Sequence, residues 1–151
     1  TYSKRGENDD GVTFRNLYDK NGQLIQQEYT KTDGTKGIST IKDGKITTNT
    51  ETFKDGTKVI ETYKDGKKTT RTETYKDGTT VEFSGYDSTN TATKRVEKDK
   101  NGNITAIYTF ENNADGSFKQ QEHDKDGNPI GEPTYWYNGE QITKEEYEKR
   151  K

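Results

Sequence analysis

Asp43-Gly44-Lys45-Ile46-Thr47-Thr48-Asn49-Thr50-Glu51-Thr52-Phe53-Lys54-Asp55-Gly56-Thr57-Lys58-Val59-Ile60-Glu61-Thr62-Tyr63-Lys64-Asp65-Gly66 contains the plan of the chain: Asp-Gly dipeptides separated by stretches rich in Thr, Ile, Val, Tyr and Phe. Such stretches suit a pleated, half-buried surface. Asp-Gly suits a two-residue hairpin turn of type I′, because both central positions need positive φ; Asp tolerates it and Gly adopts it without strain. The segment therefore predicts strand, reversal, strand, reversal.

The same dipeptides continue on both sides. Asp10-Gly11, Asn21-Gly22 and Asp33-Gly34 precede the segment; Asp77-Gly78, Asn101-Gly102, Asp115-Gly116, Asp126-Gly127 and Asn138-Gly139 follow it. Gly22, Gly44 and Gly66 are 22 residues apart, and so are Gly34, Gly56 and Gly78, so the repeat is 22 residues with two turns in it. The step from Gly78 to Gly102 is 24 residues, and midway lies Tyr86-Asp87-Ser88-Thr89-Asn90-Thr91, read as a turn that kept Asp and Asn and lost Gly. Twelve turns predict about thirteen strands in an antiparallel meander. The structural turns are assigned to Gly22, Gly34, Gly44, Gly56, Gly66, Gly78, Gly102, Gly116, Gly127 and Gly139.

Apolar residues are only 23% of the 151, against roughly 45–50% with Gly in an ordinary domain. With 34% charged residues and a mean hydropathy of -1.44, order has to come from hydrogen-bond ladders and cross-strand pairs. Aromatics at 11% and only two prolines argue against disorder. The fold class is therefore all-β, a single-layer or narrowly curled sheet. Residues 1–10 are expected to fray and 11–142 to form the hairpin repeat domain. Residues 143–151 are expected to form a helical cap, since Thr143-Lys144-Glu145-Glu146 has capping-box spacing. Pro129, Gly131 and Pro133 are expected to interrupt pairing.

Two-residue loops fix a register. Phe53 would face Lys58 and Glu51 would face Ile60; across Asp65-Gly66, Thr62 would face Thr69 and Ile60 would face Arg71. One face then carries Phe53, Ile60 and Tyr75 with Lys58, Glu51, Arg71 and Glu73. The other carries Val59, Tyr63, Val81 and Phe83 among threonines.

Net charge is -2 with the signs interspersed, which is not the basic patch of a nucleic-acid binder. No stretch approaches the length of a membrane span. Without Cys, thiolate chemistry and disulfides are excluded. The chain starts at Thr1, so it is read as a processed protein or an excised domain, which leaves secretion open.

Candidate chemistry is sparse. His123, between Glu122 and Asp124, has the neighbours of a general base, but a residue at a strand end needs no such role. Asp124–Asn128 and Asp99–Asn103 resemble calcium loops, yet Gly127 and Gly102 fall at position four, and Tyr135 and Phe110 at position twelve. Thr48, Thr50, Thr52 and Thr70, Thr72, Thr74 form rows that suit an ice surface or a polysaccharide, or simply an exposed sheet. Tyr135, Trp136 and Tyr137 are the candidate binding residues, an aromatic platform for a sugar or protein partner; alternate members packing the end cap is the competing reading. Catalytic residues, metal ligands and cofactors: none are assigned.

Tyr18-Asp19-Lys20-Asn21-Gly22-Gln23-Leu24 followed by Asp33-Gly34-Thr35 resembles the YD repeat of Rhs-type bacterial surface and toxin-shell proteins. Tyr63-Lys64-Asp65-Gly66-Lys67 and Tyr135-Trp136-Tyr137-Asn138-Gly139 are similar to the bacterial variant of the MORN repeat. The chain departs from the YD pattern at Lys64 and Lys76, where that family has Asp. Both resemblances imply hairpin arrays without catalytic residues. The expected function is a non-enzymatic repeat module of a bacterial surface or secreted protein, a structural spacer and interaction surface for a protein or glycan partner. The alternatives are a cytoplasmic immunity or antitoxin-type protein binding a single toxin, and a Thr-array ice or polysaccharide binder. Neither nucleic acid nor membrane insertion is expected, and the open sheet edges leave edge-to-edge self-association available.

Overall fold

The computed structural model describes residues 1–151. The chain is all-β, with thirteen antiparallel strands and one short helix. It divides into two compact units, Thr1–Asp77 and Gly78–Lys151.

The first unit holds β1 (Tyr2–Glu7), β2 (Thr13–Tyr18), β3 (Leu24–Thr30), β4 (Lys36–Lys42), β5 (Lys45–Thr52), β6 (Lys58–Lys64) and β7 (Lys67–Thr74), each beside its neighbour in sequence. The second holds β8 (Thr80–Ser84), β9 (Lys94–Lys98), β10 (Ile104–Asn112), β11 (Phe118–His123), β12 (Pro129–Tyr137), β13 (Glu140–Ile142) and α1 (Lys144–Lys149). In each unit the sheet is open and single-layered. Within residues 1–10, where fraying is expected, Tyr2–Glu7 forms β1, which pairs with β2 along its whole length, and the Tyr2 and Tyr18 rings stack at 5.0 Å.

All ten predicted turn glycines have positive φ. Asn90 has it too, at 62°, with Asp87 N–H donating to Thr91 O, so the turn without glycine is confirmed. The turns are of two kinds, however. At Asp43-Gly44, Asp65-Gly66 and Asn138-Gly139 both residues have positive φ, the two-residue type I′ loop. At Gly56, the Phe53 N–H donates to Thr57 O and the Gly56 N–H to Phe53 O, which is a three-residue loop ending in a glycine bulge.

That single extra residue corrects the register. Lys58 faces Thr52 rather than Phe53, and Ile60 faces Thr50 rather than Glu51. Across Asp65-Gly66 the predicted two-residue register holds for Lys64–Lys67 and Tyr63–Lys68. A bulge then shifts it, so Thr62 faces Thr70 and Ile60 faces Thr72. A one-residue slip exchanges faces. The threonines thus share a face with Ile60, while Glu51, Glu61, Arg71 and Glu73 share the other with Val59 and Tyr63. The bulge has a local cause: the Thr62 hydroxyl bonds both Thr69 (2.8 Å) and Thr70, as Thr40 does with Thr47 (2.9 Å) and Thr48 one repeat earlier.

Apolar burial is thin. Val59, Ile107, Tyr135 and Tyr147 are buried, while Ile38, Ile46, Ile60, Ile104 and Ile130 are exposed. Glycine lets aromatics lie flat instead. The Phe14 ring covers Gly6 and the Tyr29 ring covers Gly37, each glycine being its partner across the ladder. In β12, Gly131, Glu132 and Pro133 stand opposite Gln121 alone, as the predicted interruption requires. The Gln121 amide fills the gap by donating to the Ile130 and Gly131 carbonyls, both at 3.2 Å.

Candidate functional site

The aromatic end of the second unit is built by alternation along β12. Tyr135 and Tyr137 point to one face and Trp136 to the other. Tyr135 packs against Tyr147 of α1 at 5.1 Å between ring centres, and Tyr147 is fully buried with its hydroxyl donating to Glu111 O (3.1 Å). Thr143 caps the helix, accepting from the Glu146 N–H at 3.1 Å as the capping box predicts. Arg150 closes the cap. Its guanidinium lies 3.7 Å from the Tyr137 ring centre and bonds Asp115 (3.1 Å) and Glu146 (3.2 Å). The three rings are therefore not brought together as one platform; two of them hold the cap.

Trp136 faces Phe118 across the ladder, and Phe118 meets Phe110 edge to face at 5.8 Å. The Trp136 indole N–H donates to Thr134 Oγ1 at 2.9 Å. On the same face Arg95 lies 5.5 Å from the Tyr108 ring. This half-exposed aromatic row was hidden in the sequence because its members come from strands joined only by pairing. The pairing Phe118–Trp136 follows from counting out across the Asp126-Gly127 turn only once the three-residue bulge at 131–133 is known.

His123 is engaged at both nitrogens: Nδ1–H donates to Gly127 O (3.2 Å), and Nε2 accepts from the Thr109 hydroxyl (2.9 Å). No carboxylate orients the ring, and it serves as a strand-end clamp. The calcium-like loops use their carboxylates on the backbone. Asp99 accepts the N–H groups of Asn101 and Asn103, and Asp124 those of Asp126 and Asn128, all at 2.9 Å.

The threonine rows do share one face of the first unit. Thr40, Thr48, Thr62 and Thr70 form one line across β4 to β7; Ile38, Thr50, Ile60 and Thr72 form the next; Lys36, Thr52, Lys58 and Thr74 form a third.

Turn carboxylates make the fold sensitive to acid. Asp33, Asp55, Asp99 and Asp124 are held below the ordinary carboxylate value chiefly by backbone N–H donors, and Asp87 and Asp115 chiefly by the hydroxyls of Thr89 and Ser117. A lowered carboxyl contributes stability above its unfolded value near 3.8, and loses it as pH falls through the folded value. The urea midpoint is expected to be flat from neutral pH to about 4 and then to drop; an unchanged midpoint well below that would show that the carboxylates do not hold the turns.

At high pH the sign reverses. Tyr29 and Tyr147 are pushed up to about 12, first by burial and then by Glu51 and Glu111 respectively. Their contribution is complete below the ordinary value of 10 and is lost as pH rises through about 12. A tyrosinate absorbance titration should show these two rings ionising late, with loss of the β-sheet circular dichroism signal; a single transition for all ten tyrosines near pH 10 would contradict it.

No protein-family model matches the chain, and no curated protein matches it. Solved structures do match, among them a porin-like protein from Bacteroides uniformis at 18% identity and a TM-score of 0.38, over 88% of this chain. The chain spans 57% of that protein's length. No helix is long and apolar enough to cross a membrane.

Proposed function

We propose that the chain is a non-enzymatic β-hairpin repeat module of a bacterial surface or secreted protein, serving as a spacer and as an interaction surface for a protein or glycan. The observation that carries this reading is surface. Val59 in the first unit and Ile107, Tyr135 and Tyr147 in the second are the buried apolar side chains, while Ile38, Ile46 and Ile60 in the first and Ile104 and Ile130 in the second are exposed. Single-layered sheets offer both faces to solvent, and hydrogen-bonded turns rather than a core fix the geometry. The sequence resemblance to YD and bacterial MORN-variant repeats supports the same reading.

The test is protease shaving of intact cells of the organism that carries the gene, with mass spectrometry of the released peptides. Peptides of this chain in the released fraction are the expected result. Recovery only from the cytosol, in a one-to-one complex with a single protein, would overturn the reading in favour of an immunity-type partner.

A further inference from the structure

The two faces of β4–β7 treat charge in opposite ways. On the Val59 face every acid is answered. Glu51 accepts from Tyr29 (2.7 Å) and lies 3.8 Å from Lys31; Glu61 is flanked by Lys68 and by Arg71 (3.5 Å); Glu73 accepts from Arg71 at 2.9 Å. The threonine face carries Lys36, Lys42, Lys45, Lys58, Lys64 and Lys67, all exposed, and no acidic side chain from these four strands. None of the six lysines is ion-paired. On the neighbouring strand β3, Glu28 shares that face and is taken by Arg15 and Gln26. Asp43 and Asp65 stand in the tips of the turns between the lysine pairs.

The lysines form two lines at the ends of the strands. Lys36 and Lys58 sit two strands apart at one end, about 9.6 Å from each other. At the other end Lys42 faces Lys45 directly, and Lys64 faces Lys67. Like charges directly opposite cost stability, yet the pair recurs in successive repeats. Between the lines lie the threonine hydroxyls. Lys36 and Lys58 are separated by about the Debye length at physiological salt, about 8 Å, so these two cations act as separate points.

We propose that this face binds an acidic polysaccharide lying across the strands, its carboxylates meeting the lysine lines and its hydroxyls meeting the threonines. The proposal rests on the reading of the chain as an interaction module and names its partner. Charge complementarity selects a polyanion. Lysine is a point charge, suited to a carboxylate repeated along a chain. A nucleic acid would be served by Arg forks and by aromatics that stack on bases, and this face has neither. A protein partner would need buried aromatic anchors, and this face offers only Ile38 and Ile60.

The test measures binding of the whole chain to alginate, with neutral dextran and duplex DNA as comparisons. One variant changes the six face lysines to Gln; a control changes Lys94, Lys100, Lys119, Lys125, Lys144 and Lys149 to Gln, so both lose the same charge. The wild type is expected to bind alginate and not dextran, more weakly as salt rises. Loss of about tenfold or more in the face variant against about twofold or less in the control is expected. If the six-fold variant lacks the wild-type circular dichroism spectrum, Lys36→Gln/Lys58→Gln replaces it, with an expected loss of about threefold. Absence of alginate binding, equal losses in both variants, or DNA bound as tightly as alginate would overturn the proposal. Those results leave the cell-shaving experiment untouched, so failure of this site and failure of the surface reading are told apart.

Discussion

Tyr147→Ala should lower the unfolding free energy of residues 78–151 by about 4 kcal/mol, the middle of the range for removing a buried aromatic ring. Tyr147 has no exposed surface, packs on Tyr135 and donates to Glu111 O, so its loss opens a cavity and removes that hydrogen bond. The effect is large because so little else in this unit is buried; Ile107 and Tyr135 are the other buried apolar side chains. Urea unfolding followed by the fluorescence of Trp136, the single tryptophan, measures it directly. Tyr147→Phe keeps the ring and loses the hydrogen bond, for an expected cost of about 1 kcal/mol. If Ala costs no more than Phe, the helix does not hold the end of the sheet.

The second large effect belongs to Gly37→Ala, expected to cost about 3 kcal/mol through overpacking and a lost hydrogen bond to a charged group. A Cβ at Gly37 would lie 2.0 Å from Tyr29 Cζ, so the ring must leave its neighbour. Leaving breaks the hydrogen bond from Tyr29 to Glu51 and moves the ring away from Lys31, now 5.8 Å over it. A double-mutant cycle separates this cause from a general glycine effect. With Tyr29→Ala already in place, Gly37→Ala should become nearly neutral. Full additivity in urea midpoints followed by circular dichroism would refute the covering-ring account.

Strands and turns were legible because the chemistry of reversal is local. Asp or Asn before Gly marks the place, and the 22-residue spacing marks the repeat. Which loop forms was also written, one residue further on. Where Thr or Ser follows Asp-Gly, as at Thr35, Thr57 and Ser117, the Asp carboxylate takes its N–H and a three-residue loop results; where Lys follows, as at Lys45 and Lys67, the loop has two residues. Reading all loops alike displaced the register by one and put the threonines on the wrong side. The bulges opposite Thr40 and Thr62, and the one at 131–133, depend on contacts between strands and leave no comparable mark. For that reason the lysine face and the Phe110–Phe118–Trp136 row were not visible in the sequence, while Thr143 with Glu146 was.

Within each unit every strand pairs through its backbone only with the strands next to it in the chain. Contacts of such short sequence separation involve little loop-closure entropy, and low contact order goes with fast folding. Such an array can begin to order at any hairpin and spread in both directions. It also means that duplication or deletion of one whole 22-residue period changes the length of the protein without requiring any distant residue to find a new neighbour. Gene slippage is thus a ready route to longer and shorter versions of the same molecule.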